Sequence, residues 1–335
     1  MLPTVSLVLT TYNDKPYIDQ AIQSVLSQSH TDFECIIIDD GSTDGTAEIC
    51  RKYADTDPRI RVITQSNSGA SAARNVGIGE ARGTWLAFVD SDDILHPDFI
   101  SDCLYACMHN PCDLVICEAV VFADGSAPDF PETADTEMEN EEAPAALRKL
   151  LEGEYIPNVW ARLYRRECLA GTGFPLELVV GEDMEFSVRL MLRLSRVCHV
   201  NLPRYAYRKR DGSVLSRFKP ELLSNRLSFC RAIQTTLGPS ATREPLSRSL
   251  QIMAATHLGY YGMKDMVRSG VMNEAWLFAM RDCLSREFDI SAKQLPALGL
   301  PTRREKWLKF ALGPCWLAKL FLKYQIRKHK RDANR

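Results

Sequence analysis

The stretch Leu86-Ala87-Phe88-Val89-Asp90-Ser91-Asp92-Asp93 is an apolar run that ends in three carboxylates. Its four apolar residues predict a buried strand, and ligands of open α/β sheets bind beyond the carboxyl ends of the strands. Crowded carboxylates repel one another, and Mg²⁺ or Mn²⁺ relieves that repulsion by taking oxygen ligands. The stretch therefore predicts a metal site at a sheet edge. The simpler alternative is a solvated acidic turn before a helix that begins near Pro97.

Around this stretch, apolar strands alternate with amphipathic helices. Strands are predicted at 5–9, 33–38, 60–64, 85–89 and 114–122, and helices at 18–26, 43–53, 71–79 and 97–109. This alternation predicts right-handed βαβ units and a mostly parallel sheet covered by helices on both faces. The second strand runs into Asp39-Asp40, so both acidic pairs are expected at one edge of the sheet.

The composition is that of an ordinary globular protein, with 45% hydrophobic and 25% charged residues among 335. The length allows one large domain or two smaller ones. Eleven cysteines without a CxxC pair or metal-ligand spacing favour a reducing compartment. No signal-peptide pattern precedes Val5, and no run of apolar residues is long enough to span a membrane. We therefore expect a cytoplasmic protein.

The rest of the chain predicts loops followed by helices. Segment 124–144 holds eight acids and no basic residue, which predicts an exposed loop before a helix at 145–152. Segment 205–213, YAYRKRDGS, predicts a basic loop, and helical patterns dominate after Pro220. The predicted domains are a catalytic domain at 1–215, a helical subdomain at 216–300 and a basic tail at 301–335.

The tail differs from the rest in charge. Residues 303–335 hold eleven Lys or Arg and two acids, a net charge of +9 that leaves the first 302 residues at −11. Aromatic and aliphatic residues beside these cations predict, over 303–331, a helix in the interface of an anionic membrane, kinked at Gly313-Pro314. This places the protein peripherally at the inner face of the cell membrane. The alternative is a helix packed on the protein with a solvated basic face.

Five motifs follow one another along the chain: LTTYN at 9–13, IDDGSTD at 38–44, NSGASAARNVG at 67–77, FVDSDD at 88–93 and GED at 181–183. In this order they resemble the family 2 glycosyltransferases over about residues 3–215. The resemblance implies the α/β GT-A fold, a Rossmann-like and mostly parallel sheet flanked by helices, here with a C-terminal helical extension. It also implies an inverting hexosyl- or N-acetylhexosaminyltransferase of cell-surface polysaccharide synthesis, which takes a UDP-sugar to a glycan or lipid-linked acceptor and binds no nucleic acid.

The resemblance also implies a set of nucleotide-sugar contacts: Thr10, Tyr12, Asn13, Asp40, Gly69, Arg74, Asn75, Asp90, Ser91 and Asp92. Asp90-Ser91-Asp92 is similar to the DxD motif of the family. By this likeness Asp92 binds Mn²⁺ or Mg²⁺ directly, and Asp90 faces the ribose or the metal.

The carboxylate base of the family corresponds to Asp183. A helix N-terminus stabilises an ionised carboxylate, which suits a general base. The simpler alternative is that Glu182 and Asp183 only cap the helix. Supporting roles fall to Asp93, Arg162, Glu182, Arg208 and Arg210. Arg162 stands where the family usually has Lys. Arg208 and Arg210 either close over the diphosphate or form a solvated charge run.

Three other readings compete with sugar transfer. A catalytically silent sugar-nucleotide or membrane-binding module would keep the fold without the reaction. A dinucleotide-dependent oxidoreductase is suggested only by Gly77, Gly79 and Gly83, whose last glycine is one residue late and which precede a strand instead of following one. A nucleotidyltransferase would need a glycine-rich phosphate loop, and segment 9–17 has none.

Overall fold

The computed structural model describes residues 2–131, 136–178, 180–210, 221–270 and 272–333. The chain divides into two compact units. The first holds Met1–Ala146, Pro157–Leu176 and Arg189–Ser213, and the second holds Leu147–Ile156, Glu177–Val188 and Val214–Arg335. The division at 215 and 300 stays a prediction.

The first unit is built on a mixed sheet. Its strands are β1 (Val5–Thr11), β2 (Phe33–Asp39), β3 (Ile60–Thr64), β4 (Trp85–Asp90), β5 (Ile94–Leu95), β6 (Leu114–Ala123), β7 (Met138–Glu142), β8 (Arg162–Arg165) and β9 (Arg196–Lys209). In the described residues their order is β3-β2-β1-β4-β8-β6-β9-β5, with β7 paired to β9. Strands β3, β2, β1 and β4 are parallel, as are β6 and β9, whereas β8 is antiparallel to its neighbours β4 and β6. The predicted mostly parallel sheet is confirmed.

Helices flank the sheet and make up most of the second unit. They are α1 (Ile18–Leu26), α2 (Thr46–Thr56), α3 (Ala70–Glu80), α4 (Phe99–His109), α5 (Ala143–Glu152), α6 (Glu182–Met191), α7 (Glu221–Leu237), α8 (Leu246–Ala254), α9 (Gly262–Ser269), α10 (Glu274–Arg286), α11 (Thr302–Leu312) and α12 (Cys315–Ala333). A π-helical turn, Ala255–Tyr261, joins α8 to α9.

Apolar periodicity explains the core of the first unit. Ile18, Ala21, Ile22 and Val25 of α1 are fully buried, as their spacing on one helix face predicts. The apolar run of β4 is buried on both faces of the sheet, which is typical of a central parallel strand. All eleven cysteines are free thiols, and the eight buried ones act as small apolar core residues.

Two glycines near α3 permit close packing. A Cβ at Gly77 would lie 2.2 Å from Cγ1 of Val8, and one at Gly83 would lie 2.6 Å from the backbone nitrogen of Ser6. Gly77 and Gly79 lie inside α3, which precedes β4. Gly77 and Gly83 therefore allow close packing against β1, whereas Gly79 makes no close contact. Since Gly77 and Gly79 lie within a helix, they form no strand-to-helix dinucleotide loop, which removes the basis of the oxidoreductase hypothesis.

Two loop predictions are wrong. Within the predicted loop 124–144, residues Met138–Glu142 form an edge strand against β9, because Met138 packs against the core while the acids tolerate the open side. The predicted loop 205–213 is strand up to Lys209, because Tyr205 and Arg208 have buried partners described below. Residues 211–213 lie outside the described residues.

The second unit is helical, as predicted for the chain after Pro220. The tail breaks at Gly313-Pro314 into α11 and α12, which confirms the predicted kink. Trp307 and Phe310 pack against Phe321 at ring centroid distances of 5.2 and 4.3 Å, so one apolar face of the tail is internal. None of the described helices is both long and apolar enough to cross a membrane.

Candidate active site

The carboxyl ends of β1, β2 and β4 lie side by side in the sheet. Thr10 is in register with Asp90 of β4, and Thr11 is in register with Asp39 of β2. The prediction that the two acidic pairs share one edge is therefore confirmed. This edge is where an open α/β sheet binds its ligands.

Asp40 holds the segment that leads into α3. Its carboxylate is buried and accepts hydrogen bonds from the side-chain amide of Gln65 at 2.7 Å and from the backbone N–H groups of Ser68 and Gly69, both at 2.8 Å. Gly69 has a φ of +88°, a conformation that glycine adopts without strain. Asp40 thus fixes the backbone at the start of α3.

Arg74 connects α3 to the other acidic pair. Its guanidinium donates to Oδ1 of Asp90 at 3.0 Å and lies over the ring of Phe174. Since Asp40 binds the residues just before α3 and Asp90 binds Arg74 within it, one helix is tied to the ends of both β2 and β4. Arg74 therefore supports the acidic edge through its ion pair with Asp90.

Asn75 binds the backbone of Phe174. Its side-chain amide donates to the carbonyl oxygen of Phe174 at 2.9 Å and accepts from the backbone N–H of the same residue at 2.6 Å. These hydrogen bonds fix the backbone of Phe174, whose ring lies beneath Arg74. These contacts give Asn75 a structural part that the sequence did not suggest.

The loop after β1 presents Tyr12 and Asn13. Asn13 has a φ of +54°, its backbone N–H donates to the hydroxyl of Ser42, and its side-chain oxygen accepts from the backbone N–H of Thr43 at 2.8 Å. The loop is thereby fastened to the turn after β2. The ring of Tyr12 is 47% exposed beside this turn.

Arg210 bridges two carboxylates beside the Asp90-Ser91-Asp92 segment. Its Nε lies 2.6 Å from Oδ2 of Asp92, and its Nη1 lies 2.7 Å from Oδ1 of Asp14. The hydroxyl of Ser91 donates to the other oxygen of Asp14. Asp14 was not singled out from the sequence. Its position directly after the LTTYN motif is the signal that could have found it.

Burial shapes the ionisation of the two acids that follow Ser91. Burial raises the pKa of Asp92 to about 6; nearby Arg210 opposes that shift, and Asp90 and Asp14 add to it. Asp93 is fully buried, and burial together with Asp90 and Asp92 raises its pKa well above the usual range. Burial is thus the main cause of both shifts, and the neighbouring carboxylates add to it.

Asp93 and Arg208 of β9 together position the backbone of the Asp90-Ser91-Asp92 segment. Asp93 accepts from the hydroxyl of Tyr205 and from the backbone N–H of Arg208, both at 2.8 Å. Arg208 is buried and donates to the carbonyl oxygen of Asp92 at 2.7 Å and to the side chain of Gln20 at 2.6 Å. Both side chains therefore hold the backbone next to Asp92 in place.

An aromatic stack borders the acids. Trp160 lies parallel to Tyr205 and Tyr207, with centroid distances of 4.7 and 5.5 Å. It belongs to the same NVWAR segment as Arg162, which is buried in β8 and donates to Asn158 over 3.5 Å. The alternation of Tyr205 with Tyr207 and of Arg208 with Arg210 is the period-2 pattern of a strand, and it could have revealed β9.

Asp183 belongs to the second unit, where it lies with Glu182 in the first turn of α6. Gly181 precedes the helix with a φ of +85°, and a Cβ there would lie 2.3 Å from the ring of Phe229. Asp183 is half-buried. Its position at a helix N-terminus agrees with the prediction and favours the ionised carboxylate.

The described residues contain no ready-made metal cage of three His, Cys, Asp or Glu side chains. A Mg²⁺ or Mn²⁺ site of the DxD kind needs fewer, because diphosphate oxygens and waters complete the coordination. A cavity of about 500 Å³ lies elsewhere, lined by Asp102, Tyr105, His109, Thr136, Met138 and Leu202. It borders none of the predicted site residues, so the acidic edge is the better candidate.

Known proteins are similar to this chain in sequence and fold. The model of the glycosyl transferase family 2 matches residues 6–171. The putative glycosyltransferase EpsH of Bacillus subtilis is 32% identical over 273 residues, which are 80% of this chain and 79% of that protein.

Two solved structures extend the likeness to the fold. S. aureus TarS 1–349 in complex with UDP-GlcNAc aligns over 92% of this chain and 90% of its own, with a TM-score of 0.72 and 21% identity. The mannosyltransferase PcManGT of Pyrobaculum calidifontis, in complex with GDP-Man and Mn²⁺, aligns over 99% and 88% with a TM-score of 0.54 and 16% identity. These likenesses confirm the expected GT-A fold.

Proposed function

Because the chain belongs to glycosyl transferase family 2, we propose that it transfers a hexosyl or N-acetylhexosaminyl group from a UDP-sugar, with inversion, to a glycan or lipid-linked acceptor of cell-surface polysaccharide synthesis. One observation carries the proposal: Asp40 follows β2 and Asp90 ends β4, the two parallel strands on either side of β1, and both carboxylates bind residues at the start of or within α3. The UDP-GlcNAc complex of the similar TarS supports the choice of donor.

The nucleotide end of the site is assigned to the loops after β1 and β2. The exposed ring of Tyr12 offers a face for stacking on a base, and Thr10 borders Asp90 in the sheet. Asp40 presents a carboxylate that can accept from a base N–H, the kind of polar contact that discriminates between bases. Gly69, where the backbone approaches Asp40, leaves room beside it for the donor.

A divalent ion, Mn²⁺ or Mg²⁺, is assigned to Asp92 with Asp90 beside it. The donor set fits, because both are carboxylates at an open edge and the Asp92 side chain already pairs with a cation, Arg210. When bound, the ion would supply positive charge to the departing diphosphate. Arg208 and Asp93 hold the backbone of Asp92 in place, and Arg74 holds Asp90.

Proton removal is assigned to Asp183. Inversion requires a base on the side of the sugar opposite the leaving diphosphate, where it takes the proton of the attacking hydroxyl. Asp183 suits this task since the N-terminus of α6 stabilises its charged form, and Glu182 is assigned to support it.

The membrane partner is assigned to one face of α12. Trp316, Leu320 and Tyr324 follow one another at four-residue intervals and are 56–64% exposed. Phe278 of α10 is also exposed and lies beside Lys319, whose ammonium is 5.7 Å from its ring. Exposed cations, Lys323 and Arg327 among them, flank this surface, which we call the α12 stripe. Aromatic residues among cations suit the interface of an anionic bilayer.

A panel of UDP-sugars with Mn²⁺ tests the enzymatic proposal by measuring release of UDP. We expect turnover with at least one hexose or N-acetylhexosamine donor, loss of that turnover with EDTA, and loss in Asp92→Asn. Asp55→Asn, an exposed acid of α2, is the matched control and should behave as wild type. Full activity of Asp92→Asn would refute the assigned metal ligand, and turnover of no donor by wild type would favour the silent module.

Vesicle flotation tests the α12 stripe. We expect the wild type to float with vesicles that contain phosphatidylglycerol. The variant in which Trp316, Leu320 and Tyr324 are all changed to Ser should stay in the bottom fraction of the gradient. The control removes equally exposed apolar side chains from the first unit, changing Tyr105, Met108 and Val121 to Ser. Equal flotation of all three proteins would contradict the assignment.

A further inference from the structure

We propose that Arg210 acts as a built-in counter-cation of the metal site: its guanidinium competes with the divalent ion for Asp92 and thereby couples metal binding to donor binding. The inference rests on the proposed role of Asp92 as the metal ligand. It assigns to Arg210 a positioning role in the free protein, in addition to any contact with the diphosphate.

The contacts of Arg210 define the competition. Its guanidinium lies 2.6 Å from Asp92, 2.7 Å from Asp14 and 5.0 Å from the ring centroid of Tyr17. Two carboxylates and a ring face thus enclose one cation. Arg210 already holds one of the two oxygens, Oδ2, of the carboxylate that is assigned to the divalent ion.

The neighbouring arginine shows why only Arg210 can be displaced. Arg208 lies two residues earlier in β9 and contacts the same Tyr17 ring, also at 5.0 Å. It is 4% exposed, and it donates to the backbone of Asp92, to Gln20 and to Asp124. The side chain of Arg210 is 31% exposed, and its polar partners among the described residues are carboxylates. Arg208 is a fixed structural cation, whereas Arg210 is held only by groups that another cation can take over.

Electrostatics makes the two cations exclude each other. A guanidinium and a divalent ion on one carboxylate would lie a few ångströms apart, where like charges at a partly buried site repel strongly. The ion therefore binds Asp92 well only after Arg210 has left it. A nucleoside diphosphate offers the displaced guanidinium oxygen acceptors in bidentate geometry. Donor and ion thus favour each other's binding, and by linkage the effect is the same in both directions.

Mn²⁺ binding with and without UDP, measured by electron paramagnetic resonance and calorimetry, tests the inference without turnover. In Arg210→Gln we expect Mn²⁺ alone to bind about tenfold more tightly than in wild type, within the usual range of such couplings. The factor by which UDP improves Mn²⁺ affinity should fall by about the same amount. Arg210→Lys keeps the charge but loses the planar guanidinium fork that reaches both carboxylates, so its Mn²⁺ affinity should lie between the two.

Matched variants separate the outcomes. Lys209→Gln removes an exposed charge from the adjacent position and should leave Mn²⁺ affinity within about twofold of wild type, since exposed charges are screened. Unchanged or weaker Mn²⁺ binding by Arg210→Gln, in protein whose circular dichroism matches wild type, overturns the inference. If that variant does not fold, an Arg210→Lys affinity equal to that of wild type overturns it. If Asp92→Asn binds Mn²⁺ as wild type does, the metal role of Asp92 itself fails, a result that the Arg210 variants alone do not give.

Discussion

Asn75 holds both backbone polar groups of Phe174, accepting from its N–H and donating to its carbonyl oxygen. The motif residue expected near the donor is thus a clamp on the segment that carries the Phe174 ring. That ring lies beneath Arg74, which in turn binds Asp90. Asn75 therefore acts on the acidic edge through two intermediates.

Asn75→Ala should lower the free energy of unfolding by about 1–3 kcal/mol, because two partly buried backbone groups lose their partner. Asn75→Asp should also destabilise, since a carboxylate cannot donate to the Phe174 carbonyl. Urea unfolding measures both, with Asn67→Ala at an exposed asparagine of the same motif as control. A stable Asn75→Ala protein that no longer binds UDP would instead indicate a direct donor contact.

Asp183→Asn should reduce kcat by about 10²–10⁴-fold, the usual contribution of a general base, and leave the Kd for UDP within a few-fold of wild type. The physical reason is that the amide keeps the shape but cannot take the proton of the acceptor hydroxyl. Single-turnover kinetics and calorimetry with UDP separate the two quantities. Glu182→Gln is the comparison, and a larger loss in that variant would transfer the role of base to Glu182.

Tyr205→Phe should lower the free energy of unfolding by about 2–3 kcal/mol. The hydroxyl of Tyr205 accepts from the backbone N–H of Asp90 and donates to the carboxylate of buried Asp93, so its removal leaves two polar groups unpaired. Stacking on Trp160 is retained, which limits the loss to the hydrogen bonds. Thermal and urea unfolding measure the change, and Tyr105→Phe, at an exposed ring, should be neutral. Equal stability of the two variants would show that the hydrogen bonds of the Tyr205 hydroxyl contribute little to stability.

His257 should make stability depend on pH. Burial, with Arg226 and Arg304 nearby, lowers its pKa from 6.5 to about 4, so the folded protein keeps it neutral while the unfolded chain takes up a proton. Stability from this source is complete above pH 6.5 and is lost as pH falls towards 4, up to about 3 kcal/mol in all. Urea unfolding at several pH values between 4 and 7.5 gives the free energy of unfolding as a function of pH. This dependence on pH should have a shallower slope for His257→Asn than for wild type. His329→Asn, at an exposed position of α12, should keep the wild-type slope.

The first four strands could be predicted because their signal is local. Runs such as Leu86–Val89 are apolar throughout, and the acids that end them identify the ligand-binding edge without any knowledge of the partner strands. Strand β9 has no such apolar run, and its local signal is the weaker period-2 spacing of Tyr205 and Tyr207. Its residues Tyr205 and Arg208 are polar, and they are buried only because Asp93, far away in sequence, supplies the partners.

The same reason separates Arg208 from Arg210. In the sequence they are two arginines of one basic run, equally suited to a solvated surface or to a phosphate. Arg208 is buried by its tertiary contacts with Gln20 and Asp124. Arg210 is partly exposed and contacts Asp14 and Asp92. Side-chain roles within a motif depend on such distant partners, whereas the strand pattern does not.

The contact between Gly77 and Val8 has a consequence for how such chains are traced through evolution. The glycine that closes the NSGASAARNVG signature is needed because α3 lies against β1 with no space for a methyl group. A descendant that lost Asp92 or Asp183, and with it the reaction, would still need this glycine to fold. The signature is therefore a marker of common ancestry, and whether a given relative still transfers sugar has to be judged from the carboxylates themselves.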